Sequence, residues 1–362
     1  MDPATRRIVV VVVGVVLALS ALGAAIVLAV RGGETAAPSS STPGGSTSVP
    51  PSTAKAVALA PLTGLPADPA SLGRPALVVK IDDVDPAARP QGGLEQADVV
   101  YEEKIEGPNS RFAVVFQSTG ADQVGPVRSG RTTDLAIVGP LNRPLYAFSG
   151  ANATFLPLLR AGPLVDVGAD THPEAYHREP GREAPDNLFT STAALWALAP
   201  GGSAPSPIFT FRPVGDAATG ATSAPTGGTP ATSVAYDWGR GGVPIEYRWD
   251  PTRRLWLRRQ AGTPHVDVDG AQLSAANVIV QRVPYEDTGV RDVAGTPVPE
   301  AKLVGSGPVT VLTDGRSIEG TWTKPDDATP TTFTDAAGRP IALTPGRTTV
   351  VLLPDGSEPA VS

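Results

Sequence analysis

From Ile8 to Val30 the chain runs for 23 residues, IVVVVVGVVLALSALGAAIVLAV, without a charge and with Ser20 as its most polar side chain. A helix rising ~1.5 Å per residue makes ~34 Å of that run, enough to cross a ~30 Å hydrocarbon core with some tilt. Its first half is rich in valine, which favours strands in water. Inside lipid, however, a single segment satisfies its own backbone N–H and C=O groups only as a helix. A transmembrane helix is therefore expected over 8–30. Arg6 and Arg7 precede it, and after Arg31 the next basic residue is Lys55. The short tail 1–7 is thus expected inside and everything beyond the helix outside the cytoplasm. A cleavable signal peptide, the rival reading, has an apolar core of ~7–15 residues followed by a small-x-small cleavage site, which this run does not match. Either way the remainder is exported.

An exported chain usually draws on disulfides, but this one has no cysteine among its 362 residues. That excludes disulfides, thiolate metal sites, a cysteine nucleophile and a lipid-modified cysteine together. Stability must come from a packed core, and 41% hydrophobic residues over this length supply enough for one or two. Of 29 basic and 36 acidic residues, the tail holds Arg6, Arg7 and Asp2, which leaves the rest at about −8. Nucleic acid and anionic lipid are poor partners for such a chain.

Residues 31–58 are mostly Gly, Ser, Thr, Pro and Ala, too poor in large apolar groups to offset ordering entropy, and are expected to be a disordered tether. The fold class expected beyond it is α+β: a mixed α/β N-terminal domain over 59–213, a linker or long loop over 214–233, and a β-rich meander over 234–356. Strands are expected at Ala76–Ile81, Ala97–Ile105 and Arg111–Gln117, with Gly107-Pro108-Asn109 turning between the last two. Helices are expected at Thr132–Val138 and Thr190–Leu198, the second capped by Thr190 or Ser191. In the C-terminal half Ile245–Trp249 and Leu255–Arg259 read as strands. Asp314-Gly315, Gly338-Arg339 and Pro345-Gly346 mark later turns.

No Walker A loop, G-x-G-x-x-G, G-x-S-x-G or H-E-x-x-H occurs, so no cofactor is expected. His172 and His177 are five apart, the wrong spacing for an i, i+4 zinc pair, and no metal site is expected either. What stands out is a density of charged and amide groups at strand ends and turns. Asp82, Asp83, Arg89, Glu106, Arg111, Arg128, Arg131 and Asn187 are candidate ligand-binding residues, with Gln91, Glu95 and Asp134 nearby in sequence. Period-two alternation from Asp98 puts Glu102 and Glu106 on one face, their Cα atoms ~13 Å apart. That is wide for a two-carboxylate glycosidase, whose carboxyl groups stand ~5–9.5 Å apart. Glu102 alone, steadied by Arg111 or Arg128, is the candidate general acid/base. Arg128 and Arg131, around the turn Gly125–Arg131, suit bidentate grip of a carboxylate or phosphate, or else lock the neighbouring glutamates.

The motifs also stand in a familiar order: Pro61-Leu-Thr-Gly-Leu-Pro66, Ala88-Arg-Pro-Gln-Gly-Gly93, Ala97-Asp-Val-Val-Tyr-Glu102, Ser110-Arg-Phe112, Gly125-Pro-Val-Arg-Ser129 and Ala184-Pro-Asp-Asn-Leu-Phe189. Asn277-Val-Ile-Val-Gln281, Gly305-Ser-Gly307 and Asp314-Gly-Arg-Ser-Ile-Glu-Gly-Thr-Trp-Thr-Lys324 continue it. From about Pro61 to Leu353 the chain resembles the YerB-like bacterial lipoproteins, a family of unknown function. The resemblance implies two conjoined domains on the outer face of the membrane and carries no catalytic mechanism. This chain departs from the pattern in having no cysteine to lipidate, with Ile8–Val30 in its place. The expected function is recognition of peptidoglycan or another wall polymer, or of an envelope protein. A wall-glycan cleaving enzyme using Glu102 and a noncatalytic scaffold for envelope assembly are the alternatives.

Overall fold

The computed structural model describes residues 58–198, 202–216, 221–222, 225 and 227–362. The tail, the expected transmembrane helix at 8–30 and nearly all of the expected tether lie outside the described residues. Among those described, no helix is long and apolar enough to cross a membrane. All of them fall in one compact unit.

The unit is strand-rich with few helices. Its three opening strands come from the apolar runs of the sequence: β1 is Leu77–Asp82, β2 is Val99–Lys104 and β3 is Ser110–Phe116. β3 pairs antiparallel with both of the others, and β1 runs parallel to the short β4, Leu145–Ala147, which in turn pairs with β5, Val165–Asp166. All residues of β1 and β3 are buried, so neither strand has a solvent-facing side. Runs without alternation belong to strands covered on both sides. The helices Thr133–Val138 and Thr192–Ala197 lie where the sequence places them, and the Ser191 hydroxyl caps the second by accepting from Ala194 N at 3.1 Å. Thr190 instead ends the strand Leu188–Thr190.

The C-terminal half is not a closed meander. Antiparallel neighbours do follow one another at Ile245–Asp250 with Leu255–Gln260, and at Gly305–Thr313 with Arg316–Lys324. The second hairpin turns on Asp314 and Gly315, at φ 50° and 71°. Two positive φ angles in a two-residue loop match the twist of the flanking strands, and Asp-Gly tolerates them. The strand Thr348–Pro354, however, runs parallel to Asn277–Val283 on one side and parallel to β2 on the other. This insertion joins the two halves into one eleven-stranded sheet. The stretch expected as a linker or loop, 214–233, also contributes to that sheet: Thr229–Pro230 pairs with Arg316 and Ser317.

A second, six-stranded sheet includes Ser233–Tyr236, Ile245–Asp250 and Leu255–Gln260. Its Tyr236, Tyr247 and Trp256 pack on Val278, Val280 and Val351 of the large sheet. On the opposite face of the large sheet, Ile137, Tyr146 and Leu159 share a core with Ile279, Trp322 and Phe333. β2 is therefore an interior strand buried on both faces, and its Glu102 and Glu103 point to opposite ones.

Candidate functional site

β2 places two consecutive carboxylates in a dry interior, and the partners each finds define the site. Both side chains are 0% exposed. Burial without partners would cost each several kcal/mol, so the surrounding strands must carry cations and hydrogen-bond donors.

Glu102 faces the second sheet. Its Oε1 accepts from Ser110 Oγ at 3.0 Å and from Arg258 Nη2 at 2.9 Å, while its Oε2 accepts from the Tyr236 hydroxyl at 2.7 Å. Arg258 is itself buried and reaches Asp83 Oδ2 at 3.5 Å. It also donates to Gln260 Oε1 at 2.6 Å and to His265 Nδ1. Arginine only donates, so His265 Nδ1 accepts and its Nε2 carries the hydrogen, which goes to Gln91 Oε1 at 2.7 Å. Burial first, and then Arg258 and Arg89, hold the His265 pKa well below the usual range, which keeps the ring neutral. Asp83 accepts from Gln91 at 3.0 Å and from Gln260 at 3.2 Å, with Arg89 at 3.8 Å. Burial nevertheless pushes its carboxyl up to about 7.

Glu103 faces the other way, onto Lys80, whose Nζ also donates to Asp134 at 2.8 Å. Burial and then Asp134 raise the Glu103 carboxyl to about 7, against the pull of Lys80. Asp134 further accepts from the Tyr146 hydroxyl and from Arg131 N at 2.8 Å. Along the same face, Arg111 Nε donates to Asp82 Oδ1 at 3.0 Å, and the Ser129 carbonyl accepts from both Arg111 and Arg131 at 3.3 Å. Arg131 closes this row on Glu106 at 2.6 Å.

Arg128 differs from its neighbours. Its backbone is pinned, with N donating to the Lys80 carbonyl at 2.9 Å. Its guanidinium stands 3.7 Å from Asp82 Oδ2 and 3.7 Å from Asp186 Oδ1, and 19% of the side chain is exposed. Those distances exceed hydrogen-bond length. The side chain is steered by two carboxylates but bonded to neither.

Most of the residues expected from sequence thus come together, though not as expected. Asp82, Arg111, Arg128, Arg131 and Glu106 form one row on the Glu103 face of β2, and Asp83 with Arg89 joins the Arg258 cluster. Glu102 and Glu106 do not project together, because the strand ends at Lys104 and the following turn sends Glu106 to Arg131. Glu102 is steadied by Arg258, not by Arg111 or Arg128, and neither of its oxygens is open to a substrate. Asn187 sits apart: it accepts from Arg178 at 2.7 Å and donates to the Arg182 carbonyl at 3.2 Å within its own hairpin. His172 and His177 each turn to a nearby glutamate, Glu174 and Glu179. Sequence reasoning missed Lys80, Glu103, Asp186, Tyr236, Arg258 and His265. The alternation of Trp256, Arg258 and Gln260 along one strand face was the available signal for Arg258, since it aligns that arginine with a buried tryptophan.

Residues 62–204 match the model for the N-terminal domain of the protein of unknown function DUF3048, and residues 233–350 match the model for its C-terminal domain. The chain belongs to the DUF3048 family. A relative in Bacillus subtilis carrying the name Putative lipoprotein YerB is 25% identical over 319 residues, 86% of this chain and 91% of that protein. The crystal structure of YerB protein from Bacillus subtilis superposes with a TM-score of 0.71 at 22% identity, covering 84% of this chain and 99% of that one. The second likeness shows a shared fold. The YerB-like resemblance read from the motif order is therefore the family relationship.

Proposed function

We propose that this DUF3048 protein is an extracytoplasmic envelope protein, held to the membrane by Ile8–Val30, that binds an anionic group of a wall polymer through Arg128. The name of its relative speaks for the envelope, and the apolar run offers the anchor where that relative's name speaks of a lipid. The observation that carries the binding is the Arg128 guanidinium, which is partly exposed, carried on a pinned backbone and without a hydrogen bond to either aspartate beside it. A planar guanidinium in that state offers a bidentate fork to a carboxylate or phosphate. Arg111 and Arg131 add positive charge nearby. The negative net charge of the chain opposes long-range attraction to such a polymer, so recognition acts at short range, inside the Debye length. Cleavage is not proposed, because Glu102 has no free oxygen with which to transfer a proton.

Retention of the full-length chain in detergent on purified wall sacculi tests this reading. Arg128→Lys keeps the charge and loses the fork, so retention should fall by ~tenfold, the loss of about one charge-assisted hydrogen bond, while the melting temperature hardly moves. No soluble wall fragments should be released. Unchanged retention by Arg128→Lys would remove the basis for the assignment.

A further inference from the structure

The parallel strands β2, Thr348–Pro354 and Asn277–Val283 all begin at one end of the large sheet, and the residues just before them, Asp98, Arg347 and Ala276, line an open cleft of about 540 Å³ there. That is the size of a small-molecule site. Both family domains contribute to its walls, the second through the turn that carries Arg254 and Leu255. Its apolar surface comes from Leu65, Ala97, Leu255, Ala276 and Pro345. Four charged side chains line it as well: Glu95, Asp98, Arg254 and Arg347. Both carboxylates are spent on the protein. Glu95 accepts from Ser274 N at 2.9 Å, Ser274 Oγ at 2.8 Å and Arg347 Nη2 at 2.6 Å, and Asp98 accepts from Ser118 N at 2.7 Å, from Ser118 Oγ and from Gln117 N. The two arginines are not spent. Arg347 uses Nε and Nη2 on Ser274 and Glu95, and Arg254 uses Nε and Nη2 on Asp314 Oδ1 at 3.0 and 2.6 Å, while Nη1 of each has no hydrogen bond among the described residues. Asp314 also faces Arg212 at 3.8 Å, so two arginines share that carboxylate and positive charge is left over beside the cleft.

We propose that this cleft binds the carboxyl end of a short apolar peptide, its carboxylate on Arg254, a backbone carbonyl on Arg347 and its side chains against Leu65, Leu255 and Pro345. An arginine only donates, so a ligand that answers the two free Nη1 groups must bring acceptors. The excess positive charge lies at Arg254, which selects the carboxylate for that end. A cationic ligand would find both carboxylates of the cleft already taken, and a wholly apolar one would leave both Nη1 groups without an acceptor. Ala97 and Ala276 keep the walls low, which suits a peptide backbone with small side chains. The site is separate from Arg128, since none of Asp82, Glu106, Arg111, Arg128 and Arg131 lines the cleft.

Titration of the full-length chain with N-acetyl-alanyl-alanine and with its C-terminal amide tests this. The acid should bind ~tenfold tighter than the amide, the gain of about one charge-assisted hydrogen bond. Arg254→Gln, at a side chain 52% exposed, should bring the acid down to the level of the amide. Leu65→Asn, at a residue 43% exposed, should weaken acid and amide by the same factor. Melting curves report whether the variants fold, and the comparison of acid with amide on the unaltered chain stands in either case. Equal binding of acid and amide, or binding of neither, overturns the proposal. So does a preference for the acid that Arg128→Lys abolishes and Arg254→Gln does not, which would put the peptide at Arg128.

Discussion

Arg258 and Glu102, both buried, meet at 2.9 Å, one from the second sheet and one from the interior strand of the first. Burial alone would lower the Arg258 pKa, and the attraction of Glu102, Tyr247, Asp83 and Tyr236 reverses that and holds the guanidinium charged. Removing one member leaves the other charge in a dry interface. Arg258→Met and Glu102→Leu should therefore each cost ~3–5 kcal/mol, whereas the double variant should cost much less than their sum. Urea unfolding of the three variants measures the coupling. Additive losses would show that the pair does not hold the sheets in register.

Glu103 predicts a pH dependence of known sign. Its carboxyl titrates at about 7 in the fold against 4.5 without it. Between those values the unfolded chain has lost a proton that the folded one keeps. The stabilisation is thus complete below pH 4.5, is lost as pH rises and levels off above about 7, with a slope of at most ~1.4 kcal/mol per pH unit. Glu103→Gln, which leaves Lys80 its bond to Asp134, should lack this component. Unfolding at pH 5, 6, 7 and 8 should show the wild type losing ground to the variant as pH increases. A constant difference would place the titration elsewhere.

The two family domains should not separate when the chain between them is cut. A protease site inserted between 216 and 227 leaves intact the parallel pairing of β2 with Thr348–Pro354 and the bridge from Phe211 to Leu343. Size-exclusion chromatography of the cut protein should give one species, and calorimetry one transition. Fragments that part without denaturant would mean that the shared sheet contributes little.

At Gly139, two effects of opposite sign can be weighed. Its φ is −49°, which alanine also adopts, so the smaller conformational freedom of alanine in the unfolded chain favours the substitution by ~0.4–1 kcal/mol. An added Cβ would stand 2.2 Å from the Asp327 carbonyl oxygen, however, and a backbone atom cannot swing aside as a side chain would. Gly139→Ala should therefore destabilise by ~1–3 kcal/mol, read as a lower melting temperature. An unchanged or higher melting temperature would show that the 325–329 turn yields.

Short-range order is legible in the amino-acid sequence alone. The apolar runs of β1 to β3, the Ser191 cap and the Asp314-Gly315 hairpin follow from propensity and turn chemistry within a few residues, and the order of motifs along the chain carries the family. Local pattern is weaker at the site. Alternation correctly separates Glu102 from Glu103, but carried past Ile105, where the expected strand ends, and into the turn marked by Gly107 it puts Glu106 beside Glu102.

Partner choice belongs to the tertiary structure alone. Period two says that consecutive side chains on a strand face opposite ways, and no more. Which surface each face meets depends on Thr348–Pro354 inserting beside β2 and on the second sheet closing over it. Those pairings join residues more than a hundred positions apart. Glu102 and Arg258 lie 156 residues apart. Each reads in isolation as an ordinary surface charge, and only burial, which forces every ionised group to find a counter-charge, selects the one for the other.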